Sequence, residues 1–428
     1  MLALPTSAQA QIPTTAARAS DFLGSIGANS AVSSRGETLP NTAKSVKYAG
    51  LGWIRSGYES GVPVKDLIAL HTQTGVRFSY GLLSGGTDLS RLLDGARHLA
   101  AADALLALEG PNEPNNWGIT YQGEDGGGRA PSWVAVAKLQ RDLYAAVKSD
   151  PVLKKYPVWS ITENGAEADN VGLQFLTIPR GANCALPDGT RYADAANVHN
   201  YVYHPNSPGV EDNKTWNASD PGPACKVDGL YGEYGSTWAH HYAGYSPTAL
   251  VTLPRVTTET GLTIGGPITG DVHALNLLSL YLDQFKRGWS DTAVYLLRDR
   301  SDEDGNQQFG FYKPDYTPRK AAVTLHNLTT ILADRKSKKT PGKLAYSIPN
   351  EPATVHDLLL QKSSGAFELV VWDEQVGGTS RVTVKLGRAH SSVNVYDPTV
   401  GVTPLQTLGK VASVPLTLTD HPLVIKLP

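Results

Sequence analysis

Short apolar runs alternate with stretches of helical period from Phe22 to Leu332, and this alternation limits the chain to very few folds. Eight strand candidates stand out: Phe22–Ala28, Gly52–Ser56, Val76–Leu83, Leu105–Leu108, Val158–Glu163, Ala196–Tyr203, Arg255–Glu259 and Ala293–Arg298. Several lack strict alternation, which suits parallel strands buried on both faces. Between most of them lie helical patterns at Val64–His71, Leu89–Ala101, Ser132–Lys148, Val272–Phe285 and Arg319–Leu332. In Leu89–Ala101, Leu92, Leu93, Ala96 and Leu99 recur at helical spacing. Eight such units predict an α/β fold, a (β/α)8 TIM barrel with insertions.

The pattern changes after Asp334. Arg335-Lys336-Ser337-Lys338-Lys339-Thr340-Pro341-Gly342 reads as a linker. Beyond it, Val355–Gln361, Ala366–Asp373, Ser380–Leu386, Ser392–Tyr396 and Val414–Pro428 are strand-like runs punctuated by turns, which predicts a small C-terminal antiparallel β-sandwich domain. The expected division is therefore a tail over 1–10, a barrel over 11–334 and the sandwich over 335–428. The tail ends in Ala8-Gln9-Ala10, which fits the small-x-small rule of signal cleavage, although a charged leader and most of an apolar core are missing. A disordered tail is the plainer reading. The first reading places the protein outside the cell or in a periplasm. There, Cys184 and Cys225, the only two cysteines, are candidates for one disulfide; two free thiols are the alternative.

Composition narrows the partners. The net charge of −2 gives no reason to expect nucleic acid or an anionic membrane. No apolar run approaches the ~18 residues of a membrane span. Asp302-Glu303-Asp304-Gly305-Asn306 is half a calcium loop, but Arg300 and Phe311 occupy the outer ligand positions. No metal or cofactor is expected, and a monomer is.

Two acids carry the chemistry. Glu113 follows the fourth strand in Leu108-Glu109-Gly110-Pro111-Asn112-Glu113-Pro114, and Glu259 ends the seventh in Arg255-Val256-Thr257-Thr258-Glu259. In a barrel, the C-terminal ends of the strands line the active site. Two carboxyls ~5–5.5 Å apart at such a mouth can cleave a glycosidic bond with retention, one as acid/base and one as nucleophile. Taken singly, each reads as well as a surface Glu near a turn. Glu163, Glu109 and Glu59 compete for the same roles, Glu163 foremost. Tyr80, Trp117, Tyr121 and Trp238 fall on mouth-side segments and are candidate platforms for sugar rings, with packing as the plainer alternative.

Asn112-Glu113-Pro114 and Thr258-Glu259-Thr260-Gly261 resemble the strand-four and strand-seven signatures of clan A glycoside hydrolases, nearest in appearance to families 39 and 5. The resemblance covers roughly 22–332. It implies that Glu113 is the acid/base and Glu259 the nucleophile, with Asn112 beside the acid to bond a sugar hydroxyl. It also implies that Arg55 stands near the nucleophile and keeps it ionised. His199 and Tyr201, two apart on strand six and so on one face, would bond the nucleophile or hold substrate. The clan commonly ends strand eight with a tryptophan. Here the strand reads Tyr295-Leu296-Leu297-Arg298-Asp299, so Trp289 or another aromatic must substitute, or the subsite takes a different sugar. Arg298 would meet a uronate there, or pair with Asp299, Asp302 or Glu303. The implied activity is double-displacement hydrolysis of a β-linked or α-L-linked glycan, endo-acting because the loops are long. An exo-acting glycosidase and a glycan-binding barrel without turnover are the alternatives.

Overall fold

The computed structural model describes residues 13–57, 61–114, 116–127, 130, 134–162, 190–202, 215–218, 254–266, 268–302, 308–334, 340–374 and 378–428. The chain divides into two compact units, Leu23–His326 and the N-terminal residues through Phe22 together with Asn327–Pro428.

The first unit is the (β/α)8 barrel. Its eight parallel strands, in chain order, are Ile26–Asn29, Trp53–Ser56, Arg77–Gly81, Leu105–Glu109, Val158–Trp159, Ala196–His199, Arg255–Thr260 and Trp289–Val294. Each pairs with the next, the eighth pairs with the first, and a parallel bridge from Trp159 to Ala195 closes the ring. The helices between the strands form for local reasons. Leu39–Ala49 opens on proline and Val64–Thr74 follows Pro63; Gly50 and Gly75 end them at φ 72° and 81°, a conformation that suits glycine. Asp88 caps Leu89–Ala101 by accepting from the Arg91 amide, and Leu92, Ala96 and Leu99 are its buried stripe.

Several strands are shorter than the sequence reading, strand five ending at Trp159 and strand six at His199, and two other boundaries move candidate residues. Phe22 lies in a helix, Ala19–Ser25, and the first strand begins only at Ile26. A short apolar run has no periodicity that separates the two states. Strand eight begins at Trp289 and ends at Val294, so Tyr295 to Arg298 lie beyond it and Trp289 is at its base. Trp289 is buried against Val198, away from the mouth.

Inside the barrel, Trp53, Trp159, Ala107, Ala195, Val256 and Ala293 form an apolar plug below the strand ends. The Trp53 and Trp159 rings meet edge to face at 5.6 Å, and the Trp53 indole donates to the Ser25 carbonyl at 2.9 Å. The Trp53 ring lies directly over Gly27, where a side chain would overlap it.

The second unit is a β-sandwich. One antiparallel sheet orders Pro13–Thr15, Lys343–Ser347, Ser380–His390 and Val411–Leu418. The other orders Gln406–Leu408, Val393–Tyr396, Leu423–Leu427, Phe367–Asp373, Val355–Gln361 and Ala17–Arg18. Leu369, Val371, Val384, Val393, Val414 and Ile425 belong to the shared core. Residues 13–18 therefore join the sandwich, whereas the sequence reading gave them to the barrel. Each segment pairs with a sandwich strand, which two short runs do not advertise in sequence.

The Gly27–Trp53 contact yields a stability prediction. Gly27→Ala forces the indole out of its place and lowers unfolding free energy by about 1–3 kcal/mol. Urea denaturation measures it, and an unchanged midpoint would show that the ring has room to move.

Candidate active site

Strand parity decides which side chains enter the barrel. On strand two, Trp53 and Arg55 point inward; on strand four, Ala107 and Glu109 do. Arg55 is 1% exposed and its guanidinium binds both sides of the barrel at once. Nε donates to both Glu109 oxygens at 3.0 Å, Nη2 donates to Glu109 and to Asn112 Oδ1 (2.7 Å), and Nη1 donates to Glu259 Oε1. Glu109 is fully buried and also accepts from Ser79 Oγ at 3.0 Å and from Thr258 Oγ1 at 2.9 Å.

Glu259 reaches the mouth through a bulge. Val198 pairs with Thr257, but His199 pairs with Glu259, so strand seven carries one extra residue at Thr258. The bulge lets two consecutive side chains reach groups of the barrel interior, Thr258 to Glu109 and Glu259 to Arg55. The second Glu259 oxygen accepts from the Tyr201 hydroxyl at 2.7 Å.

Glu113 lies four residues beyond the end of strand four at φ 40°, a left-handed conformation uncommon for a non-glycine residue. The Glu113 amide donates to Thr162 Oγ1 at 3.2 Å, and Asn116 Nδ2 donates to Oε2 at 2.9 Å. Oε1 is 2.6 Å from His199 Nδ1. Oxygens of Glu113 and Glu259 and a nitrogen of His199 all lie within 4.8 Å of one another.

Burial separates the proton affinities. Desolvation pushes Glu113 up to about 7, against the opposing Asn116 hydrogen bond and the Arg55 charge. Desolvation pushes His199 down to about 4, so the imidazole is neutral near pH 7 and its contact with Glu113 is a hydrogen bond, not an ion pair. Glu259 is also raised, first by desolvation. The lowering expected from Arg55 is present, but burial outweighs it.

The trio Glu113, His199 and Glu259 has the spacing to hold a cation. The Arg55 guanidinium already occupies one Glu259 oxygen and the Tyr201 hydroxyl the other, so no metal is assigned to it.

The remaining sequence candidates divide. Asn112 is 4% exposed, with Oδ1 bound to Arg55 and Nδ2 to Ser84 Oγ at 3.1 Å, so it orients Arg55 first. His199 meets Glu113 closely and Glu259 only at 3.6 Å, whereas Tyr201, which the sequence reading placed on strand six but which lies two residues past its end, bonds Glu259. Trp117 is 53% exposed, and its amide donates to the Glu113 carbonyl at 2.8 Å, which keeps the ring on the Glu113 loop. Tyr80 is not a platform. Its neighbour Ser79 points inward, so Tyr80 points outward and packs over Gly95 of helix Leu89–Ala101. The Tyr121 hydroxyl donates to Asp142 at 2.8 Å. Arg298 donates to the Pro314 and Arg35 carbonyls and lies over the Tyr316 ring, and of the acids expected beside it Asp299, raised by burial, is held lower in part by its charge. Asp299 pairs with Arg319, and Asp302 with Arg35 and Arg300. The aromatic just past strand eight is Tyr295, which contacts Tyr201 and Phe309 edge to face. Trp238, Cys184, Cys225, Glu163, Glu59 and Glu303 lie outside the described residues. Sequence reasoning assigned no role to Thr258, Asn116 or Thr162, and placed Glu109 only as a rival acid. Its position four residues before Glu113 and its inward parity were the available signals.

No protein-family model matches the chain, and no curated protein matches it. Solved structures do resemble it. A family 39 glycoside hydrolase from the gut symbiont Bacteroides cellulosilyticus WH2 superposes with TM-score 0.57 at 13% identity, over 95% of this chain and 82% of that one. A bifunctional glucanase-xylanase from a metagenome library gives 0.55 at 12% identity, over 97% of each chain. A family 51 arabinofuranosidase from Xanthomonas axonopodis pv. citri gives 0.54 at 11% identity, over 98% of each. At these identities the likeness is one of fold: a (β/α)8 barrel joined to a β-sandwich is the architecture that this chain shares with glycoside hydrolases.

Proposed function

We propose that this protein is a retaining glycoside hydrolase acting on a β-linked or α-L-linked glycan. The observation that carries the reading is the pair Glu113 and Glu259, one oxygen of each lying within 4.8 Å of the other across the barrel mouth. So close an approach favours direct attack by one carboxylate over an inverting site, whose carboxyl groups stand ~6.5–9.5 Å apart with a water between them. Glu259 attacks the anomeric carbon while the bond to the leaving oxygen breaks and Glu113 gives that oxygen its proton. Glu113, now a carboxylate, takes a proton from water, whose oxygen attacks the anomeric carbon and releases Glu259. Tyr201 and Arg55 hold the nucleophile, and the raised proton affinity of Glu113 suits an acid working near neutrality.

Trp117 supports endo action. An exposed ring on the acid's own loop fits a sugar on the leaving-group side of the bond. Export belongs to the same reading and is supported by Ala8-Gln9-Ala10 alone. Product sizing on a panel of plant and bacterial polysaccharides tests substrate and mode together; release of single sugars only would replace endo with exo action.

Two further outcomes follow from the assigned roles. Glu259→Ala retains glycan binding and falls below about one-thousandth of parental turnover. Glu113→Ala loses about 10²–10⁴-fold on unactivated glycosides. With an activated aryl glycoside, azide restores its turnover and gives a glycosyl azide of the starting configuration. An azide product of inverted configuration would contradict the covalent step.

The pH profile of kcat/KM is bell-shaped. Activity needs Glu113 protonated and Glu259 ionised, so it falls as pH rises through about 7. It also falls on acidification, at a pH above the ordinary glutamate value of 4.5, because burial raises Glu259. Initial rates under low-substrate conditions across pH 4 to 9 measure both limbs. A rate still climbing at the alkaline end would remove Glu113 from the acid role.

A further inference from the structure

The hydroxyl of Thr258 lies between the two carboxylate systems and bonds to neither candidate catalytic acid. Oγ1 is 2.9 Å from Glu109 Oε1, 3.1 Å from Asn197 Oδ1 and 3.1 Å from His199 Nε2. A hydroxyl has one proton. Glu109 faces the Arg55 guanidinium and the Ser79 hydroxyl, both donors, so it accepts from Thr258 as well. Whether the proton goes to Glu109 or to Asn197, it points away from the imidazole, and the Thr258 oxygen turns a lone pair toward Nε2. Two lone pairs at that distance repel, so Nε2 carries hydrogen. A neutral imidazole carries only one N–H, which leaves Nδ1 bare. The 2.6 Å contact between Nδ1 and Glu113 Oε1 then needs its proton from Glu113.

We propose that Thr258, oriented by Glu109, fixes His199 in the Nε2–H tautomer and thereby holds Glu113 in its protonated, donating form. Both are positioning residues: each acts on the acid through His199. The inference rests on the hydrolase reading only for its kinetic consequence. The titratable and charged groups around His199 are Glu113, Glu259 (3.6 Å from Nδ1), Arg55 and Glu109, with Tyr201 bonded to Glu259. These come from strands two and four and from the chain at and just past the ends of strands four, six and seven.

The first test needs no activity. ¹⁵N NMR of the ring nitrogens in histidine-labelled protein at about pH 5.5, between the His199 value of about 4 and the Glu113 value of about 7, with His199→Gln identifying the signals, reports the tautomer directly. The Nε2–H form is expected. An Nδ1–H or doubly protonated His199 overturns the proposal. The second test is kinetic. Thr258→Val frees the ring to donate from Nδ1, which favours the Glu113 carboxylate. The falling limb of the kcat/KM profile then moves about one pH unit lower, about a tenfold loss on the parent's alkaline side. Thr258→Ser keeps the hydroxyl and restores both the tautomer and the limb. A Thr258→Val protein with the parent's melting temperature, tautomer and limb overturns the proposal, as does failure of Thr258→Ser to restore either. If the parent turns over no glycoside at all, the hydrolase reading fails, and the tautomer measurement still decides the positioning claim.

Discussion

The site depends on one buried cation. Arg55 is 1% exposed and joins Glu109 on strand four to Glu259 on strand seven, with Asn112 on the same fork. Taking charges out of water costs several kcal/mol per ion, and only close, well-bonded partners offset that cost. Removing the arginine would strand two carboxylates in a dry interior, and breaking one buried pair already costs ~3–5 kcal/mol. A lysine ammonium cannot replace it. The planar guanidinium presents five N–H donors in a fixed fork, and here that fork serves three residues on different elements.

That arrangement requires a closed barrel, because its partners come from strands that are not neighbours. Strand two meets strand three, and strand seven meets strands six and eight. Only the interior brings Arg55, Glu109 and Thr258 into one hydrogen-bonded cluster. The apolar layer below them, from Trp53 to Ala293, sets the floor. Trp53 and Arg55 are two residues apart on one strand, so the packing that locates the indole over Gly27 also sets the height of the guanidinium. Packing and site geometry are thus the same constraint read at adjacent layers.

Much of this was legible in the chain. Period and composition marked the parallel strands because their both-face burial removes polar alternation, and Glu113 and Glu259 stood where strand ends place side chains at a mouth. The barrel and the sandwich are both present. Three features escaped for physical reasons. Tyr80 looked like a mouth residue, yet parity turns it outward, and parity is lost when strand ends are uncertain by a residue. The bulge at Thr258 leaves no compositional mark, although it is what puts Thr258 and Glu259 side by side in the interior. Arg298 looked free to meet an acidic ligand, but backbone carbonyls of Pro314 and Arg35 take its donors, and no side-chain pattern reveals a carbonyl.

The protonation states and the cation fit together in the proposed chemistry. With Glu113 protonated and His199 neutral, the charges facing each other are Arg55 against Glu109 and Glu259, a single net negative charge in the dry mouth. When Glu259 becomes an ester it loses its charge, and Glu113 acquires one by giving up its proton. The net charge of the site is the same before and after; only its position changes, from one carboxylate to the other, whose nearer oxygens lie within 4.8 Å. A low-dielectric site penalises net charge far more than a short displacement of it. The same burial that raises both acids therefore opposes any state in which both are ionised, and it couples the departure of the proton from Glu113 to the attack by Glu259.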